Sequence, residues 1–217
     1  MGSNYKDDIV CPKCGNKQKM TVWMIVDAAH NTKTRQKIAN GTFFNQKCKC
    51  CGSVFEVTYP MLIQDDINGY LVHYTKTVSQ ELVAYSSLKH VNESKIANGH
   101  KLRIVNSPDR FSEKVRIFES GLDDRVIDIM KVAIIESIKT EIELGRINDV
   151  IWNVNESGNF IFDIIGDKTH TVGVRKDFYN YLEDKCKSFL NKNEMSTTIV
   201  DMSWAIDFME NYHFKCM

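Results

Sequence analysis

Two short stretches of the chain carry residues that can bind a metal ion. Cys11-Pro12-Lys13-Cys14-Gly15 and Cys48-Lys49-Cys50-Cys51-Gly52 each place two thiols at C-x-x-C spacing with a glycine directly after. Together they offer four sulfurs, the number a tetrahedral ion takes. In such a turn both thiolates reach one ion while backbone N–H groups point at the sulfurs and offset their charge. The glycine supplies the positive φ that turns the chain away without a Cβ clash. Pro12 stiffens the first hook. Cys11, Cys14, Cys48 and Cys51 are the predicted ligands. Cys50 offers a competing Cys48-x-Cys50 pair, and the match to the C-x-x-C-G of the first hook selects Cys51.

Zinc is the predicted ion. Four thiolates close its coordination sphere and leave no open position for a substrate, which makes the site structural rather than catalytic. The excess negative charge of four thiolates is softened by Lys13, Lys47 and Lys49. A rubredoxin-like iron site uses the same two hooks and is the alternative. A thioredoxin-like dithiol needs a helix that opens at its C-x-x-C. Here Lys17-Gln18-Lys19-Met20-Thr21-Val22-Trp23 follows and reads as a strand.

No second chemistry announces itself. The chain has no GxSxG, no phosphate loop, no dinucleotide fingerprint and no HExxH. No catalytic residue and no organic cofactor site is assigned. His170, which follows Asp163 and Asp167, is the best acid–base candidate, although a solvated turn histidine is the simpler reading. Asp123-Asp124-Arg125 reads as a capped, salt-bridged helix start, with a ligand or partner contact as the alternative. Asp65-Asp66-Ile67-Asn68-Gly69 is a turn rather than a calcium loop, which would need further ligands.

The hooks are set in a legible frame. The 33 residues between Cys14 and Cys48 exceed the roughly 15–20 of a minimal ribbon. The excess predicts a strand through Met20, Val22 and Met24, a short helix over Thr32–Asn40 stopped by Gly41, and a strand through Thr42-Phe43-Phe44 into the second hook. A strand through Phe55, Val57 and Tyr59 follows. A hairpin comes next, Met61–Ile63 and Tyr70–Tyr74, turning at Asn68-Gly69. Within it His73 reads as a packed histidine.

Thr77–Asn98 is the least legible stretch, with a helix predicted over Ser79–Leu88. After a strand at Leu102–Val105, Ser107-Pro108 signals a helix start. That helix buries Phe111, Val115 and Phe118. A long apolar helix is predicted over Leu122–Leu144, stopped by Gly145, as core or as a dimer seam. An antiparallel meander follows, Val150–Val154, Phe160–Ile165 and Thr169–Val174. Then come a helix facing inward through Phe178, Leu182, Cys186 and Phe189, a strand at Thr197–Val200, and a last helix capped by Asp201.

Over residues 9–130 these features resemble the CpXC domain family, a bacterial and archaeal group named for its Cys-Pro-x-Cys motif. The resemblance is carried by both hooks, Thr21-Val22-Trp23, Asn40-Gly41-Thr42-Phe43, Thr58-Tyr59-Pro60 and Leu102-Arg103-Ile104-Val105. Ile117-Phe118-Glu119-Ser120-Gly121-Leu122-Asp123-Asp124-Arg125-Val126 carries it further. The second hook departs from the family pattern at Lys49 and Cys50. The resemblance implies a metal-binding module and supplies no reaction.

The expected fold class is therefore α+β. A zinc-ribbon-like antiparallel β module with an inserted helix (residues 1–76) leads through a junction (77–106) to a domain of helices and a β-meander (107–217). The composition, 43% hydrophobic and 26% charged, is that of an ordinary globular chain. No apolar run reaches membrane-spanning length, and the opening residues do not read as a signal peptide. Seven cysteines, an odd number, suit a reducing cytoplasm better than a disulfide scaffold. Cys186 reads as a buried hydrophobe and Cys216 as exposed. Net charge is zero, but residues 1–60 carry nine Lys/Arg against four Asp/Glu. That balance fits nucleic-acid contact and fits equally a module answering its own thiolates. A zinc-stabilised binding protein with a protein partner or a second copy is the leading expectation. An enzyme with its site in the C-terminal half is the alternative.

Overall fold

In a computed structural model of the chain, residues 2–77, 93–140, 142–191 and 198–212 are described. The helix expected over Ser79–Leu88 and the position of Cys216 lie outside them. The chain divides into two compact units, Met1–Val115 and Arg116–Met217.

The first unit is built on hairpins. Strands β1 (Ser3–Val10) and β2 (Lys17–Asp27) pair antiparallel, with Val10 opposite Lys17, so the first hook is their connecting turn. After β2 comes α1 (Thr32–Ala39), whose end is closed by N–H bonds from Gly41 to Ile38 and from Thr42 to Lys37. Strands β3 (Asn45–Lys47) and β4 (Val54–Glu56) form a second antiparallel hairpin around the second hook. The return strand thus begins at Asn45, not at Thr42. Thr42 is held in a turn by Asn40 Oδ1, and Phe44 is buried in a cluster of rings with Phe43, Tyr59, Tyr74 and Phe111. Burial of the ring took precedence over the extended pattern.

The Asn68-Gly69 hairpin is present as β5 (Met61–Asp65) and β6 (Tyr70–Tyr74). Asp65 is buried at the start of its turn. Its Oδ1 accepts the N–H groups of Ile67 and Asn68, and its Oδ2 accepts from the Asn68 amide. The carboxylate is occupied by its own loop, as the turn reading requires. A short α2 (Glu93–Ala97) precedes β7 (Lys101–Val105). The larger sheet runs β1-β2-β5-β6-β7. Its two hairpins are antiparallel and join through a parallel ladder of β2 with β5, and β7 adds parallel to β6. On one face Leu62, Leu71 and Leu102 gather with Ile25 and Ile96.

The division between the units falls within α3 (Pro108–Glu119). Ser107 Oγ accepts the Arg110 N–H, the capping bond its sequence signals. In the second unit α4 (Asp124–Ile138) is capped by Asp123, which accepts the Arg125 N–H. Every residue from Asp124 to Ile134 is buried, including the ion pair Asp128–Lys131 at 2.9 Å. The apolar stripe is therefore core and is not left open as a dimer seam.

This helix ends before the expected Leu144. Beyond Ile134 the chain emerges from the core, and packing no longer sustains the turn. Ile142 keeps the spacing of the stripe but is 37% exposed. Gly145, with φ 64°, belongs to the turn into the next strand.

The meander is β8 (Ile147–Val154), β9 (Phe160–Gly166) and β10 (His170–Val174), all antiparallel. Phe160, Phe162 and Ile164 bury one face of β9. Phe160 stacks edge-on against Trp152 and against Tyr179 of α5 (Lys176–Leu190). The inward face of α5 is Tyr179, Leu182, Cys186 and Leu190, so Phe178 and Phe189 sit at its margins. Residues 198–200 are unpaired rather than a strand; they lead into Asp201, which caps α6 (Met202–Asn211). Val200 is nonetheless buried. Its apolar character reflects that anchoring, not a ladder.

Candidate metal centre

The two hooks are near copies. In the first, the Cys11 N–H donates to Asn16 O at 2.9 Å and the Gly15 N–H to Cys11 O at 2.9 Å. In the second, the Cys48 N–H donates to Ser53 O at 2.8 Å and the Gly52 N–H to Cys48 O at 3.0 Å. Gly15 and Gly52 take φ of 70° and 72°. Any side chain there would strain the left-handed backbone that aims each pair of thiols. The first cysteine of each hook, Cys11 and Cys48, is buried, and the second, Cys14 and Cys51, is exposed.

The turns bring all four sulfurs within 4.8 Å of one another. Cys11 Sγ lies 3.7 Å from Cys51 Sγ, and Cys14 Sγ lies 3.7 Å from Cys48 Sγ. Both close contacts run between hooks. A tetrahedral ion bound at ~2.3 Å to each sulfur separates its ligands by about 3.8 Å, so the residues fit a single ion. The four sulfurs brought together are those of Cys11, Cys14, Cys48 and Cys51, which could hold a metal ion. Cys50 is exposed and outside it. Lys13, Lys47 and Lys49, neighbours of the cluster cysteines in the chain, are exposed.

Two residues that the sequence reading missed also shape the site. Gln18, on β2, grips the second hook on both sides of Cys48. Its Nε2 donates to Lys47 O at 3.1 Å, and its Oε1 accepts the Lys49 N–H at 2.9 Å. Ser53 Oγ lies 3.0 Å from Cys51 Sγ and 3.4 Å from Cys11 Sγ. A polar residue four after Cys14, and a hydroxyl directly after Cys-Gly, were the available signals.

The thiols differ in acidity. The Ser53 hydroxyl, helped by the N–H groups of Cys14 and Lys13, outweighs burial and brings Cys11 down to about 6. The hydroxyl and N–H of Ser53 also lower Cys51. At Cys14 the Asn16 N–H acts downward, but hydrogen bonding with Cys51, burial, and the other sulfurs prevail and raise it to about 12. Metal binding requires all four as thiolates and so releases protons.

The other sequence candidates lie outside the thiol cluster. Asp163 accepts from Thr171 Oγ1 at 2.7 Å, and Asp167 accepts the Arg146 N–H at 3.1 Å. His170 Nε2 is buried without a hydrogen-bond partner among the described residues. Asp123 and Arg125 form a 2.6 Å ion pair at the α4 N-terminus, and the Arg125 guanidinium also donates to Leu190 O. His73, half-buried in β6, has an unpartnered Nδ1.

Two C-x-x-C hairpin turns that pool their sulfurs define a protein with a four-thiol candidate metal centre. The family model of the CpXC protein matches residues 9–131, more than half of the chain, and the chain belongs to that family. No curated protein and no solved structure matches it. Among the described residues, no helix is long and apolar enough to cross a membrane.

Proposed function

We propose that the chain is a zinc protein in which one ion, held by Cys11, Cys14, Cys48 and Cys51, stabilises a module whose task is binding rather than turnover. The observation that carries this reading is the 3.7 Å separation of sulfurs across the two hooks. Sulfur donors alone suit zinc or iron, and the closed set of four favours a structural role. The ion would cross-link the two hairpins, so its binding energy would act as folding energy.

The surroundings support a protein partner. Val10 and Val54, at the roots of the two hooks, are 54% and 63% exposed. Exposed Lys13, Lys17, Lys47 and Lys49 lie among them in the chain. Exposed valines and lysines so close in the chain would suit a partner of apolar and acidic character. The thiols of Cys50 and Cys186 favour a reducing compartment such as the cytoplasm.

The test is metal analysis of protein purified without added metal. One zinc per chain and a colourless solution are expected. A red, iron-containing protein would replace this reading with the electron-carrier alternative, and a metal-free folded protein would remove both.

A further inference from the structure

The hydroxyl of Ser53 breaks the symmetry of the two hooks. Ser53 and Asn16 hold equivalent positions, each accepting the N–H of the first cysteine of its hook through its carbonyl. Each also presents its own N–H to the second cysteine. At 53 the side chain adds an O–H, with its oxygen 3.0 Å from Cys51 Sγ and 3.4 Å from Cys11 Sγ. Those sulfurs come from different hooks and are 3.7 Å apart. The matching pair, Cys14 and Cys48, is equally close but has asparagine in place of that serine.

A hydroxyl carries one proton. Aimed at a thiolate it makes a charge-assisted hydrogen bond and drains electron density from the sulfur. Donors of this kind orient metal ligands and tune them, and their loss typically weakens metal binding about 10–100-fold.

We propose that Ser53 is a positioning residue of the metal centre: its hydroxyl donates to the Cys51 thiolate, with Cys11 as its second acceptor. It fixes one sulfur from each hook in ligating geometry and makes that pair the weaker electron donor to the ion. The proposal rests on the four cysteines being a metal site. It also accounts for the oxygen's place within reach of one sulfur from each hook.

The experiment loads the full chain with Co²⁺ and compares wild type with Ser53→Ala and Ser53→Thr. Loss of the hydroxyl raises the energy of the sulfur electrons. The sulfur-to-cobalt charge-transfer band of Ser53→Ala should therefore move to longer wavelength. Zinc affinity, measured by chelator competition, should fall about tenfold with one metal per chain retained. Ser53→Thr should restore both. If Ser53→Ala does not fold, Ser53→Thr against Ser53→Val makes the same comparison between isosteric side chains. An unchanged band and affinity on loss of the hydroxyl overturn the proposal. So does a loss of affinity with no shift of the band, which would mark a structural role. Wild type that takes up no cobalt overturns the metal reading and this proposal with it; wild type that binds it while all variants match overturns this proposal alone.

Discussion

Cys51 Sγ lies 3.7 Å from Cys11 Sγ, while Cys50, one residue earlier, is exposed and outside the cluster. Cys50→Ser should therefore leave metal stoichiometry unchanged, whereas Cys14→Ser should lose the metal on purification. Elemental analysis of the two variants checks both; a halved zinc content in Cys50→Ser would reverse the assignment of the fourth ligand. The cluster of four cysteines was legible because C-x-x-C spacing is itself a local turn geometry. Ser53 and Gln18 were not, because a serine or glutamine acquires its role only when a distant hook is brought beside it. His73 gives a pH dependence. Burial pulls it from 6.5 down to about 4, so the unfolded chain takes up its proton first as the solution is acidified. His73 costs nothing above pH 6.5, and its cost grows as pH falls toward 4. Over that window wild type should lose about 2–3 kcal/mol relative to His73→Phe, measured by urea unfolding at matched pH. Parallel stability curves for the two proteins would contradict it.

The α4 N-terminus shows what one residue does for an element. Asp123 caps the helix, pairs with the largely buried Arg125 and donates its own N–H to Tyr179 Oη at 2.8 Å. Asp123→Ala keeps the backbone donor but removes the cap and leaves a guanidinium short of its carboxylate. A loss of about 3 kcal/mol or more is expected from chemical unfolding. A loss below about 1 kcal/mol would mean the cap alone was felt. Such helix starts were readable, as at Ser107-Pro108 and Asp201, because capping is a local property. The Asn68-Gly69 turn and the meander were readable for the same reason. β1 was hidden because Lys6-Asp7-Asp8 run consecutively along an exposed edge strand, so no alternation marks it. The C-terminal end of α4 was overrun because Ile142 preserves the spacing of a stripe whose burial had already ended. The parallel ladders, β2 with β5 and β6 with β7, were invisible, since pairing between distant strands leaves no local signature.

At the scale of the whole chain, the second unit has a core of its own in Trp152, Phe160, Phe162 and Tyr179, while the proposed ion would cross-link the two hooks of the first. Chelation should raise amide hydrogen exchange in β1–β2 and β3–β4 and leave β8–β10 protected. Uniform loss of protection across both units would contradict that partition. The most direct test of the account is X-ray absorption at the zinc edge of the purified protein. Four sulfur neighbours at ~2.3 Å and no lighter first-shell atoms are the predicted result. A shell containing nitrogen or oxygen would contradict the ligand set, and the absence of a zinc edge would contradict the centre itself.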